Sequence, residues 1–573
     1  MRAVVSLFVA SLLLSACTRE RERPSGSAPP ASDAPESTGT ESVDSVPPIS
    51  GGTLLITAGG EAAVVSDPDR HRVLHVDLDS EHVDEIELPK GTHPGRATED
   101  ADGFVHVVLR GAGTVLTLSA DGKNRGQRDV CSAPRGIDYD EARNELVIVC
   151  VGGELLRFDP APGGERLSKK MLEPDLRDVV VIGDKTFVSV FRRPKVLVLD
   201  ADGDILKEVE PPAAAVGADT KLPTVAWRMA EWPGRGVVVS HQRSSTREIE
   251  IGANAPPNAY GEGGGDPLVE PVITVIDEDG VVVESAAVST GGVLPVDASV
   301  SESGELAVTM AGSHRVARLD PAGVGFTFVA VAEPLAAQLL EDRLVVQTRE
   351  PAALHVLDLV GASEVVIDLG GDDVSNTGHA IFHGVESPTP LACASCHPEG
   401  RDDAHTWSFA PLGPRRTQTL LGDVTGTAPF HWDGDQKSIS VLMDEVFTRR
   451  MGNAKLSIKD VAAFSDWLSE LRDLPSKPVS SSSAGRKAFE KAGCDSCHAG
   501  DRFTTGESAD VGTGDSFQIP SLVGLRYRTP LLHDGCAATI EERFGPCGGD
   551  DHGDTGALDD DEMADLLDYL RSL

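Results

Sequence analysis

Thr186-Phe-Val-Ser-Val190, followed by Val196-Leu-Val-Leu-Asp200 and Ala201-Asp202-Gly203, decides the fold. Two short runs rich in Val, Leu, Phe and Thr, split by a break and closed by Asp-Gly, read as antiparallel strands joined by tight turns. The phrase recurs on both sides. Phe104-Val-His-Val-Val-Leu109 is followed by Thr114-Val-Leu-Thr-Leu118 and Ala120-Asp121-Gly122. Glu145-Leu-Val-Ile-Val-Cys150 pairs with Glu154-Leu-Leu-Arg-Phe158, and Glu305-Leu-Ala-Val-Thr309 with Val316-Ala-Arg-Leu-Asp320. Arg343-Leu-Val-Val-Gln347 with Leu354-His-Val-Leu-Asp358 is the last clear copy. Units starting near residues 60, 93, 133, 175, 223, 294 and 333 are mostly about forty residues apart, the length of a four-stranded propeller blade. The expectation is an all-β propeller of seven blades over residues 51–372, with six or eight as alternatives because the end copies are weak.

Two features of these units bear on function. Successive opening strands carry Arg96, Arg135, Arg177 and Arg228 at a similar place, while the unit near 294 has Asp297 there. Innermost strands line a propeller's channel. The guanidiniums therefore either form an anion-attracting funnel or pair with neighbouring carboxylates. The unit near 223 is interrupted between His241 and about Val272 by a stretch holding Ala255-Pro-Pro-Asn258 and Gly261-Glu-Gly-Gly-Gly265. A loop of this length is either functional or disordered. His71, His75, His106 and His355 lie in strand runs and read as packing or surface residues. In architecture the region resembles the YVTN/YncE-like and nitrite-reductase-like propellers of exported bacterial proteins.

The chain has 573 residues, a length for three to four domains, and a formal net charge of −40. That charge excludes nucleic acid as a partner and favours basic redox proteins. Aromatics are 4% and glycines number 59, which suits a loop-rich β domain. Met1-Arg2-Ala3 and the apolar run 4–14 read as a signal peptide. Leu14-Ser15-Ala16-Cys17 resembles the lipobox of bacterial lipoproteins, which implies lipidation of Cys17 and attachment to a membrane through that lipid. Thr18, by analogy with enteric bacteria, points to the outer membrane. Residues 18–50, rich in Pro, Ser, Glu and Thr, read as a disordered tether.

The chemistry lies in a pentapeptide that occurs twice, Cys393-Ala394-Ser395-Cys396-His397 and Cys494-Asp495-Ser496-Cys497-His498. Cys-x-x-Cys-His is the attachment motif of haem c. Cys393, Cys396, Cys494 and Cys497 would form the thioethers, and His397 and His498 would be proximal ligands to iron. Setting these four and Cys17 aside leaves Cys131, Cys150, Cys536 and Cys547. An even remainder in an exported protein suggests two disulfides, with sequence-local pairing as the expectation and free buried thiols as the alternative.

An offset of 101 residues superimposes the two motifs and carries Pro429 onto Pro530, Trp432 onto His533, Asp433-Gly434 onto Asp534-Gly535 and Met451-Gly452 onto His552-Gly553. One residue more aligns Val461, Phe464, Trp467, Leu468 and Leu471 with Met563, Leu566, Tyr569, Leu570 and Leu573, the stripe of an amphipathic helix. The segments therefore read as two all-α cytochrome c-like modules joined by the linker 474–483. Met451 and His552 precede the last helix of each module, where class-I cytochromes c place the sixth ligand. They are the candidates, with His405, His431 and His533 as rivals.

Thr427-Ala-Pro-Phe-His-Trp-Asp-Gly434, Ile519-Pro-Ser-Leu522 with Arg528-Thr-Pro-Leu-Leu-His-Asp-Gly535, and Gly378-His-Ala-Ile-Phe382 resemble the di-haem cytochrome c peroxidase/MauG family. The resemblance covers about 375–573. It implies a periplasmic redox unit with Trp432 as relay between two haems, and Ca2+ between the haem modules. The peroxidases carry a catalytic Glu some eighteen residues after the first Trp-Asp-Gly. Here that place falls at Arg450-Met451-Gly452, and Glu445 is the nearest carboxylate. Loss of that acid/base puts peroxide cleavage in doubt.

The expected plan is a lipoprotein signal and lipobox at 1–17, the tether at 18–50, the propeller at 51–372, and haem c domains at 373–475 and 476–573. The expected function is an exported di-haem cytochrome lipoprotein that transfers electrons, its propeller docking a partner, fed by a small redox protein or a quinone-linked donor. A di-haem peroxidase or MauG-like oxidase is one alternative. A surface-anchored scaffold with sensory or structural haems is another.

Overall fold

Five of the blades begin where the chain steps into the left-handed backbone region. His93, Ala133, Asp175, Leu294 and Glu333 have φ between 39° and 71°, and each directly precedes the first strand of a sheet. Such a φ costs an L-residue roughly 1–2 kcal/mol. A hydrogen bond fixes it each time: the residue just past the second strand donates its N–H to the left-handed residue's carbonyl, as Arg110 to His93 at 3.0 Å and Phe191 to Asp175 at 2.9 Å. The same device at Ala133, Leu294 and Glu333 aims each inner strand along the axis.

The computed structural model describes residues 46–573, apart from 253–254, 262–265, 289–291, 321–324, 362, 386–389, 472–482 and 549–551. The signal, the lipobox Cys17 and most of the stretch read as tether lie outside the described residues, as does nearly all of the linker. Residues 46–50 of that stretch are described. Ile49 is buried and its N–H donates to His383 Nε2 at 3.2 Å.

Seven antiparallel sheets follow in chain order. Six have four strands, beginning at Leu54–Ile56, Pro94–Glu99, Pro134–Asp140, Leu176–Ile182, Pro295–Val300 and Pro334–Leu339. Blade five has five strands: Ala214–Val216, Asp219–Trp232, Gly236–Ser245, Val269–Ile276 and Val282–Ala287. Seven apolar clusters each join two neighbouring sheets. Val64 and Val73 meet Leu116 between blades one and two, and Val149 meets Val188 between three and four. The ring closes because Leu54, Val65 and Leu74 of blade one pack with Val345, Leu354 and Ile367 of blade seven. The hydrophobic effect thus acts between blades rather than around one centre. Outer strands such as Val83–Glu87 and Asn124–Asp129 are exposed and carry charge, which keeps open sheet edges from pairing with other chains.

The C-terminal third corrects the expected fold class. It is not two all-α cytochrome c-like domains. Its longer helices are Thr377–His383, Ile458–Glu470, Ser483–Lys491 and Asp560–Ser572, with a single α-turn at Cys393–Cys396 and the α-turn Ile439–Leu442 running on into a π-helix over Met443–Arg450. Between them run two β-hairpins, Thr406–Ala410 with Gly413–Arg416 and Ser508–Asp510 with Ser516–Gln518. Frequent Gly and Pro forbid long helices there. Alternating residues such as Thr406-Trp-Ser-Phe instead give one hairpin a face for partners.

The duplication itself is structural. The isolated bridge Phe430 to Gln436 recurs as Leu531 to Ala537. The last helices both carry capping boxes, Ser457 with Asp460 and Asp559 with Glu562. The halves exchange contacts reciprocally. Arg416 N donates to His533 O at 2.6 Å, and Gln518 N to Trp432 O at 2.7 Å. The Arg416 guanidinium reaches Arg528 O at 2.6 Å, and the Gln518 amide reaches Thr427 O at 3.1 Å. Residue i of one half meets residue j of the other and the reverse also holds, the pattern of a two-fold interface.

Candidate functional site

The first pentapeptide opens on a single helical turn, Cys393–Cys396, whose N-terminal backbone N–H at Ala392 is taken by Ser395 Oγ at 3.2 Å. The His397 N–H closes back on Cys393 O at 2.9 Å. This turn sets two thiols and an imidazole on one wall of a cavity of about 270 Å³. Phe382, Phe447, Met451 and Leu468 line the same cavity. Packing pushes the Cys393 thiol up to about 12 and Cys396 well above the usual range, so both are neutral thiols. Burial brings His397 down to about 4.

The tautomer of His397 follows from its neighbour. Nδ1 lies 3.2 Å from Arg401 O, so Nδ1–H donates and Nε2 keeps its lone pair. His498 repeats the arrangement, with Nδ1 3.0 Å from Phe503 O. A neutral imidazole whose Nδ1–H is held by a carbonyl is the form that binds a metal through Nε2. In the second half His552 faces His498, with ring centroids 6.2 Å apart and planes inclined by 27°. Two imidazoles that each place one nitrogen about 2 Å from a shared metal have roughly this separation. Burial brings His552 down to about 3, and its Nδ1 is buried with no hydrogen-bond partner. The Arg543 guanidinium holds the His552 carbonyl. Both donor sets therefore suit a porphyrin iron: two thiols and a proximal imidazole in each half, with Met451 on the cavity wall of the first and His552 facing the imidazole of the second.

The rival histidines separate. His431 lines the cavity, with Nδ1 3.1 Å from Asp435. His405 packs against Trp407 and bonds Ser245 O at 3.0 Å. His533 stacks on Phe517 at 4.0 Å. Trp432 lies on the cavity wall and also at the junction of the halves, 6.4 Å from both Phe517 and His533, with Nε1–H donating to Arg416 O at 2.7 Å. Glu445 is engaged by Arg449 and by Arg450 at 2.9 Å, so it is not free to act as a base in the cavity.

The propeller supplies what the sequence did not disclose. The four inner-strand arginines are paired. Arg228 meets Asp178 at 2.7 Å and Asp297 at 3.3 Å, and Arg96 donates to Arg177 O and Trp227 O. Glu399, two residues beyond His397, enters the axis and takes Arg177 at 2.7 Å and Arg110 and Arg135 at 3.1 Å. Burial alone would raise the Glu399 carboxyl, but the three guanidiniums hold it well below the usual carboxylate range. Asp402 continues the network to Arg192 at 2.7 Å and Arg416 at 2.6 Å, and Asp175 to Arg401 at 2.7 Å. From blade five, Gln242 donates to Ser395 O at 2.8 Å. The blade-five insert contributes Ile249, Ile251, Tyr260 and Leu268 to the cavity. The recurring Arg was the one signal in the sequence for this socket; nothing marked Glu399 as its partner.

Cys131 is bonded to Cys150 and Cys536 to Cys547. Of the strand histidines, His106 is buried between Asp100 and Thr117, and His355 bonds Glu364 at 2.7 Å.

No family model matches the chain. No curated protein matches it. Among solved structures, a hydrazine synthase from Kuenenia stuttgartiensis is 15% identical with a TM-score of 0.43, covering 58% of this chain and 99% of that one. A catalytically inactive virginiamycin B lyase from Staphylococcus aureus is 14% identical with a TM-score of 0.39, covering 54% and 94%. AztD from Citrobacter koseri is 13% identical with a TM-score of 0.36, covering 54% and 95%.

Proposed function

We propose that this chain is an exported di-haem c-type cytochrome lipoprotein that transfers electrons, with Cys393, Cys396 and His397 holding one haem and Cys494, Cys497 and His498 the other. The observation that carries the reading is the matched tautomer of the two proximal imidazoles, each Nδ1–H held by a carbonyl within its own half. Met451 and His552 would supply the second protein donor at each site. Haem bound in these sites supplies one-electron chemistry at its iron. The chain's residues bind and orient it. The cysteines tether its edge, Arg401 O and Phe503 O aim the imidazoles, and Phe382, Phe447 and Leu468 keep water from the first cavity. A thioether ligand at one site and an imidazole at the other make the two potentials unequal. Trp432, Phe517 and His533 fill the junction between the sites with aromatic rings, the place for a relay. The lipid on Cys17 would hold the protein at a membrane of the cell envelope, and the partner would be a small basic redox protein.

The test is an EPR-monitored redox titration with peroxide added to the half-reduced protein. Two unlike low-spin ferric signals are expected in the oxidised protein, one of them lost on half-reduction while the other stays low-spin, with no peroxide turnover. A high-spin haem that appears on half-reduction and consumes peroxide would replace electron transfer with the peroxidase reading.

A further inference from the structure

The blade-five insert does more than wall the cavity: it grips the turn that carries Met451. Asn258 N–H donates to Arg449 O at 2.7 Å, and Tyr260 N–H to Arg450 O at 2.9 Å. In return the Arg449 guanidinium reaches Ile251 O at 3.2 Å. Gly452 sits at φ +78°, and a Cβ there would stand 2.9 Å from Asn258 Cγ. The turn is thus seated on Asn258 with no space between. The insert is itself tied to the first half, because Glu248–Glu250 runs parallel to Thr406–Ala410 in the hairpin sheet.

The backbone leading into the turn needs such support. Met443–Arg450 is a π-helix, and Met451 N–H closes on Val446 O at 2.9 Å. π-Geometry is rare and occurs mostly at functional sites. The second half solves the same problem internally, where Arg543 of that half takes the His552 carbonyl. The first half instead uses a segment of the propeller separated from it by some two hundred residues of chain.

We infer that the insert is a positioning element of the first haem site: by gripping residues 449–452 it fixes where Met451 stands on the cavity wall, and so whether its thioether ligates iron. The inference rests on the proposed binding of haem there. A thioether is a weak, flexible ligand, so a small shift of its backbone is enough to lose it. The propeller then tunes one of two otherwise duplicated sites, which gives the fusion a redox purpose.

The experiment uses the full chain produced with haem. Pyridine haemochrome spectra count haems, and the far-red charge-transfer band of ferric haem reports thioether ligation. Gly452→Ala drives a methyl against Asn258. Two haems retained, the band lost and one potential lowered while the other holds is the expected result. Asn258→Gly added to Gly452→Ala removes the side chain that the methyl meets and should restore the band in part, because the φ of +78° still strains the alanine and the side-chain seat is gone. Asn258→Gly alone, which puts no strain on the turn, should weaken the band. An unchanged band in Gly452→Ala, or a loss that Asn258→Gly does not relieve, overturns the inference. If Gly452→Ala does not fold, an unchanged band in Asn258→Gly overturns it instead. Wild-type protein with two haems but no thioether band also overturns it, and with it Met451 as a ligand, while haem binding by the two motifs stands. Wild-type protein without haem overturns both.

Discussion

Glu399 shows how one side chain can join two parts of a molecule. It adopts φ 54° and carries its carboxylate into the propeller axis, where Arg110, Arg135 and Arg177 surround it. Glu399→Gln leaves these guanidiniums without their shared counter-charge. A buried ion pair broken on one side typically costs about 3–5 kcal/mol, so the denaturant midpoint should fall accordingly. Asp297 makes the opposite case. Burial raises its carboxyl to about 6, above the 3.8 of the free group, despite Arg228. The folded chain therefore holds a proton that the unfolded chain releases, and stability drains away as pH rises from about 4 to about 6. Asp297→Asn removes that slope. Against wild type it should gain up to about 3 kcal/mol at pH 7 and nothing below pH 4, as read by denaturation across pH. A variant that loses stability at every pH would show that the Arg228 contact outweighs the desolvation of the carboxylate.

Among elements, the hairpins and the disulfide of blade three hold the junctions. The Cys131–Cys150 bond spans 19 residues, and beside it Ala133 and Val151 form the seat on which Tyr527 of the second half packs. Cys131→Ala with Cys150→Ala should cost about 3 kcal/mol by loop entropy, measured as a lower unfolding temperature, and should expose Tyr527 to solvent quenching of its fluorescence. The hairpins exchange backbone bonds at Trp432 and His533. Trp432→Phe loses the indole bond to Arg416 O, which is buried. A loss of about 1–3 kcal/mol is expected from the unsatisfied carbonyl, with haem content unchanged. Slower electron exchange between the sites in stopped-flow reduction would separate a relay role for Trp432 from packing alone.

For the whole molecule, residues 45–573 form one compact unit. The first cavity takes its walls from Ile249, Ile251, Tyr260 and Leu268 of the propeller as well as from the first half and from Gln518, Pro520, Ser521 and Arg528 of the second. On the proposed binding of haem, a chain cut to residues 373–573 should therefore keep the second haem and lose or misligate the first, seen as one haem per chain in pyridine haemochrome spectra. Two normally ligated haems in that fragment would show that the propeller is only an attached platform.

The blade repeat was legible in the sequence because strand, turn and strand are local and their period is set by hydrogen-bonded neighbours in the chain. Sheets beginning at Pro94, Pro134, Leu176, Pro295 and Pro334 stand within about one residue of the positions read from the phrase. The pentapeptides were legible because their spacing is short-range, and the 101-residue duplication because one constant offset carries several residues of one half onto the other. The all-α expectation failed because the amphipathic stripe spoke for the last helix of each half and not for the Gly- and Pro-rich middle, which became hairpins. What only the tertiary structure decided are pairings across hundreds of residues: Glu399 with the inner-strand arginines, the insert with the turn at Met451, and each hairpin with the other half. Such contacts leave no periodic trace, since each depends on where two distant segments are brought together and on buried charges having to find partners in a medium that will not solvate them.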